Sequence, residues 1–258
     1  MAKGGAKHCT VLPTEEDVAV NLARWVADLS AKTISEKGYF SVVLSGGTLI
    51  NTLRKLTESP YKESVNWWRW LVFWADERVV PLDYPYSNYL LAWNGFLSKV
   101  PIPKTSTYHI NYNASAEHVA KNYETLLREL VEDKFLPLSP TGFPQFDLML
   151  LGIGPDGTVG SLFPYRPQRY DVTDWVTSIA DSPEKPPKRI TLTFPVINSA
   201  TDIAVVVTDK EDAEAVAITW EHIPVTPTLP CSELQAQRFT TWFLNHDAAS
   251  KLPPNYEK

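Results

Sequence analysis

At 258 residues, with 44% hydrophobic and 21% charged side chains, the chain has the composition of an ordinary globular protein with a substantial core. A net charge of -6 and a pI near 5.4 exclude a general nucleic-acid binder, which needs a basic surface to displace counterions. Two cysteines, Cys9 and Cys231, make no disulfide framework, no Cys/His spacing suggests zinc, and no apolar run approaches the ~20 residues that cross a bilayer.

The opening MAKGGAKHCTVLP lacks the apolar core of a signal peptide, so a cytoplasmic, reducing compartment is expected. The first predicted helix follows Thr14, with Asp17 three residues on in a capping-box arrangement and Val18, Leu22, Val26 and Leu29 at helical spacing. Residues 39–44 read as a strand, Ser45-Gly46-Gly47 as a turn and residues 48–56 as a helix. Of the cluster Trp67-Trp68-Arg69-Trp70, alternation buries some rings and exposes at least one. Residues 70–74 repeat the strand pattern and end in Asp76-Glu77-Arg78. Residues 87–97 and 117–132 are predicted helices, and 147–151, 175–180, 189–194 and 202–208 predicted strands. A helix over 211–219 and a closing helix over 240–249 complete the series. Strands alternating with helices specify an α/β fold with a mostly parallel sheet and helices on both faces. One domain over residues 1–258 is expected, with flexible ends at about 1–10 and 250–258. Ser250-Lys251-Leu252 would be a peroxisomal address only at a free C-terminus, and PPNYEK follows it.

Three segments carry chemistry. In Ser45-Gly46-Gly47-Thr48, a strand empties through two glycines into a helix start bearing a hydroxyl. That layout suits a phosphate, because backbone N–H groups approach the anion unobstructed; an ordinary strand-to-helix turn has the same look. Asp76-Glu77-Arg78 puts three charges at a strand end, where they must pair with each other or meet a ligand. Arg78 offers a fork to phosphate or carboxylate oxygens. Lys188-Arg189 either completes an anion pocket or marks a solvated junction.

Taken together, SGGT, FWADERVVP with a later SNY, GPDG followed by SLFP, and KRITLTFPVINSA resemble the 6-phosphogluconolactonases in order and spacing, from about residue 14 to 252. The phrases VFWADERVV and PVINSA are similar to the plant cytosolic branch. The same Rossmann-like sugar-phosphate superfamily contains glucosamine-6-phosphate deaminases, which usually carry Tyr where Arg78 stands. The resemblance implies a pocket for an anionic small-molecule sugar and neither metal nor organic cofactor; nucleic acid and membrane are not expected partners, and the oligomeric state stays open. Gly46, Gly47 and Thr48 would approach the phosphate, Arg78, Lys188 and Arg189 would contact anionic groups, and Asp76 and Asp156 would shape the site.

The same resemblance places a histidine, the base of lactone hydrolysis, where this chain has Thr158. An imidazole near pKa ~6.5 suits that step; an alkyl hydroxyl orients a water without holding its proton. Other family positions differ too: Asp212 replaces a lysine, Asn245 an aspartate, and Pro164-Tyr165-Arg166 the common PG or PNH, which places an aromatic and a cation at the expected pocket rim. The expected function is hydrolysis of a sugar-phosphate lactone of the oxidative pentose phosphate route at a weakened or altered centre. Two alternatives stand beside it. One is an enzyme redirected to a different, unphosphorylated substrate with Asp156, Thr158 or Glu77 in new catalytic roles; the other is a non-catalytic binder.

Overall fold

The computed structural model describes residues 5–221, 225–253 and 256. Six parallel strands form the central sheet: β1 (Ala6–Leu12), β2 (Phe40–Leu44), β3 (Trp70–Trp74), β5 (Leu148–Leu151), β8 (Asp202–Val207) and β9 (Phe239–Asn245). Their order across it is β1-β9-β8-β5-β2-β3. Three more strands, β4 (Asp76–Arg78), β6 (Val176–Ile179) and β7 (Arg189–Leu192), make a smaller antiparallel sheet in the order β4-β7-β6.

Alternation along each central strand feeds two cores. In β2, Val43 enters one and Val42 and Leu44 the other; in β5, Met149 and Leu151 divide from Leu148 and Leu150 in the same way. Strands buried on both faces read as unbroken apolar runs, which makes a parallel sheet legible in sequence. One face is covered by α1 (Glu15–Lys37), α2 (Leu49–Thr52) and α4 (Asn88–Gly95), with Trp67, Trp70 and Trp74. The other is covered by α5 (Ala116–Glu132), the small sheet, α6 (Phe194–Ser199) and α7 (Ala213–Glu221). A single turn, α3 (Tyr61–Ser64), leads towards Trp68, which is 71% exposed while its neighbours Trp67 and Trp70 are buried.

The capping box forms as expected: Asp17 N–H donates to Thr14 Oγ1 and Thr14 N–H to Asp17 Oδ2, both at 3.1 Å. Three expectations are corrected. The closing helix over 240–249 is instead β9, buried on both faces from Thr240 to Asn245 between β1 and β8. Its apolar density mimics a helix because a doubly buried strand has no polar alternation. The start of the chain, expected to be loose to about residue 10, forms β1 from Ala6 onward, paired residue for residue with β9. The helix over 48–56 is one α turn followed by a 3-10 segment, Leu53–Thr57.

Candidate active site

Neighbouring strands β2 and β5 send their chains in opposite directions, β2 onward to β3 and β5 onward to β8. The crevice beyond their C-terminal ends is the topological switch point, the usual ligand position in such sheets. There the two following loops are tied together: Ser45 N–H donates to Leu150 O and Gly152 N–H to Ser45 Oγ, each at 3.0 Å. A cavity of about 190 Å³ opens beside them.

Gly46, Gly47, Thr48, Asp76, Arg78, Thr158 and Arg189 all line this cavity, so residues from four separate stretches of sequence converge. Gly47 has φ of +75°, and a Cβ at Gly46 would stand 2.2 Å from Asn88 Oδ1, so both positions need glycine. The N–H groups of Gly46, Gly47 and Thr48 meet no acceptor among the described residues. Donors left unspent in a loop suit an anion.

The small sheet supplies the cations. Antiparallel pairing of β4 and β7 sets Arg78 directly opposite Arg189. Like charges facing each other across a ladder repel. Arg189 is buried, and burial, then the nearby Arg78, holds its guanidinium below its ordinary pKa. Arg78 Nη1 donates to Tyr86 O and Asn88 Oδ1, both at 2.9 Å, and its Nε is buried without a partner among the described residues. Asn88, on the first turn of α4, also donates from Nδ2 to Asp76 O (2.9 Å) and Asp76 Oδ1 (3.2 Å). Ser161 Oγ donates to the other Asp76 oxygen at 2.7 Å.

Three sequence candidates lie elsewhere. Strand alternation turns Glu77 away from Asp76 and Arg78. Its oxygens accept from the N–H groups of Arg78 (2.8 Å), Asn88 (2.7 Å) and Tyr89 (2.8 Å) and from Ser87 Oγ (3.2 Å). Burial nonetheless pushes its carboxyl up to about 7. Glu77 therefore anchors the start of α4 and is not among the residues that line the cavity. Lys188 is exposed beside the buried Arg189 and is likewise outside the lining. Asp156 is exposed, and its Oδ1 accepts from Thr158 N–H at 3.0 Å, shaping the turn instead of facing the cavity. Asn88 and Glu184 line the cavity. The phrase SNY hints at the first; an exposed glutamate in a proline-rich loop offers no signal for the second.

The sequence profile described as glucosamine-6-phosphate isomerases/6-phosphogluconolactonase matches residues 13–242. The 6-phosphogluconolactonase 3, chloroplastic, of Arabidopsis thaliana is 49% identical over 98% of this chain and 77% of its own length. The probable 6-phosphogluconolactonase 5 of the same plant is also 49% identical, over 94% of this chain and 97% of its own. The chain belongs to this family. Among solved structures, the 6-phosphogluconolactonase of Thermotoga maritima superimposes with a TM-score of 0.78 at 25% identity, over 93% of this chain and all of that one. A monomeric glucosamine-6-phosphate deaminase shares the fold, with a TM-score of 0.74 at 23% identity over 95% of this chain and 99% of that one.

The turn after β5 carries Thr158, where the resemblance leads to the expectation of a histidine. Thr158 Oγ1 is buried at the cavity wall with no hydrogen-bond partner among the described residues. None of His8, His109, His118 and His246 lines the cavity; His222 lies outside the described residues. Asp212 is buried, and burial, followed by the charges of Asp209, Glu211 and Asp156, pushes it up to about 6. It does not line the cavity. Asn245 is structural, with Nδ2 donating to Thr208 O and Oδ1 accepting from Ala248 N–H, both at 2.8 Å. An ionised carboxylate cannot make the first bond. Arg166, expected at the rim, is committed to Asp181 at 2.7 Å, and Tyr165 is 76% exposed. Among the described residues, no group of three or more His, Cys, Asp or Glu is placed to hold a metal ion.

Proposed function

We propose that this chain binds a phosphorylated sugar lactone in the cavity at the ends of β2 and β5 and hydrolyses it at an altered centre. The observation that carries the reading is the opposed pair Arg78 and Arg189. Two guanidinium groups forced to face each other gain most from an anion between them. The unspent N–H groups of Gly46, Gly47 and Thr48 extend the same cradle.

Hydrolysis needs a water deprotonated as it attacks the lactone carbonyl, and donors for the oxyanion that forms. Thr158 can present its hydroxyl to that water but not keep its proton. Loss of a general base costs about 10² to 10⁴ in rate, so catalysis falls to positioning and the cradle. Following decay of the phosphorylated lactone against its spontaneous hydrolysis tests this. Wild type is expected to accelerate decay weakly, and Thr158→His to raise the rate by at least about tenfold. Rapid hydrolysis by wild type, with no gain from the histidine, would refute the altered centre.

The second reading is redirection to a different substrate. The Thr158 Oγ1 at the cavity wall, without a partner among the described residues, favours it, because a hydroxyl there can bond a ligand group other than the attacking water. An unchanged rate in Thr158→His selects it. The cytoplasmic location belongs to this proposal as well. A fluorescent fusion checks it. No helix of the described residues is long and apolar enough to cross a membrane.

A further inference from the structure

Glu184 stands on the proline-rich loop that precedes β7 and contributes a carboxylate to the cavity wall. It reaches Arg189 Nη2 at 3.3 Å; its side chain is 63% exposed while that of Arg189 is 2% exposed. Every other ion pair among the described residues is 3.1 Å or shorter. The rest of the guanidinium is held by neutral groups. Nε donates to Pro186 O at 3.0 Å, Nη2 also to Lys185 O at 3.3 Å, and Nη1 lies 3.5 Å from Ser161 Oγ. Ser182 N–H closes the base of the loop on Pro187 O at 3.0 Å. The loop is thus fastened to Arg189 by carbonyls, and the Glu184 carboxylate can leave without releasing it.

The two arginines differ in one respect. Arg78 meets only a carbonyl and an amide oxygen, and no carboxylate pairs with it among the described residues. Arg189 already has an anionic partner. The buried guanidinium keeps its bonds to two carbonyls and a hydroxyl when Glu184 leaves, and an exposed carboxylate returns to water at little cost. A ligand anion arriving between the arginines therefore competes with Glu184 alone. A dianion wins that contest on charge; a single carboxylate meets its equal, and a neutral sugar has nothing to compete with.

We propose that Glu184 is a specificity-determining residue of this cavity, a built-in carboxylate that reserves Arg189 for ligands bearing a dianionic, phosphate-like group. This rests on the anion-site reading above, and the experiment separates the two. Titration calorimetry of the full chain with inorganic phosphate, 6-phosphogluconate and gluconate is compared in wild type, Glu184→Gln and Arg189→Met. Wild type is expected to bind 6-phosphogluconate and to reject gluconate. Glu184→Gln is expected to bind phosphate about 3- to 10-fold more tightly and to accept gluconate, with its thermal midpoint nearly unchanged. Equal phosphate affinity in wild type and Glu184→Gln, with a loss in Arg189→Met, overturns the role of Glu184 and keeps the anion site. Phosphate binding absent from wild type and Glu184→Gln, or unaffected by Arg189→Met, overturns both. Weaker phosphate binding in Glu184→Gln together with a lowered midpoint makes Glu184 structural and also overturns the proposal.

Discussion

The cradle of Gly46, Gly47, Thr48, Arg78 and Arg189 and the turn from Gly154 to Thr158 share one cavity but treat their polar atoms in opposite ways. Groups left unspent in the cradle are donors: three backbone N–H groups and the Nε of Arg78. At the turn, the Thr158 hydroxyl is buried without a partner among the described residues, and the Asp156 carboxylate is spent on the Thr158 N–H. A site whose free groups are donors holds an anion; one with a lone hydroxyl and a nearby acid neither holds an anion nor takes a proton from neutral water. Binding and reaction have separate physical requirements, and in the proposed function the first falls to the cradle and the second to the turn.

The sharpest way to break the cradle is from beneath. Glu77→Ala strips an acceptor from three N–H groups and a hydroxyl at the start of α4. Urea unfolding is expected to show a loss of about 2–4 kcal/mol, and phosphate binding should weaken as Asn88 loosens its hold on Arg78. Unchanged stability would mean that the carboxylate is dispensable to the cradle.

A smaller change attacks the cradle from above. Gly46→Ala places a methyl 2.2 Å from Asn88 Oδ1, which must swing off Arg78 or push the loop outward. About tenfold weaker phosphate binding with a stability loss of about 1–3 kcal/mol is expected. Wild-type affinity would show that the loop absorbs the methyl without moving its N–H groups.

The least effect sharpens the other half. In Asp212 the native carboxyl is raised from 3.8 to about 6, so between those values the folded protein binds more protons than the unfolded chain and stability falls as pH rises. Asp212→Asn removes that penalty. It should match wild type below about pH 4, gain progressively to about pH 6 and stay about 1–3 kcal/mol more stable above it, since the amide need not bury a charge. A pH-independent difference would mean that packing, not charge, distinguishes the two.

Much of this is legible in the chain, for identifiable reasons. Apolar runs at residues 40–44, 70–74, 148–151 and 202–207 fit doubly buried strands, and glycines at 46 and 47 mark the turn that follows one of them. Strand 239–245 passes for a helix because the same double burial erases the alternation that separates the two. Glu77 passes for a site residue because three consecutive charges do not reveal which faces the ligand until the strand assigns them to alternate sides.

The sequence by itself determined the α/β architecture, the family and the absence of an imidazole at position 158, because these depend on residue type and local pattern. Tertiary structure alone decided that Arg78 stands opposite Arg189, and that Asn88 braces one and Glu184 occupies the other. Those relations join residues brought together by strand register and loop closure, and Coulomb forces act on distance in space, which chain order does not encode.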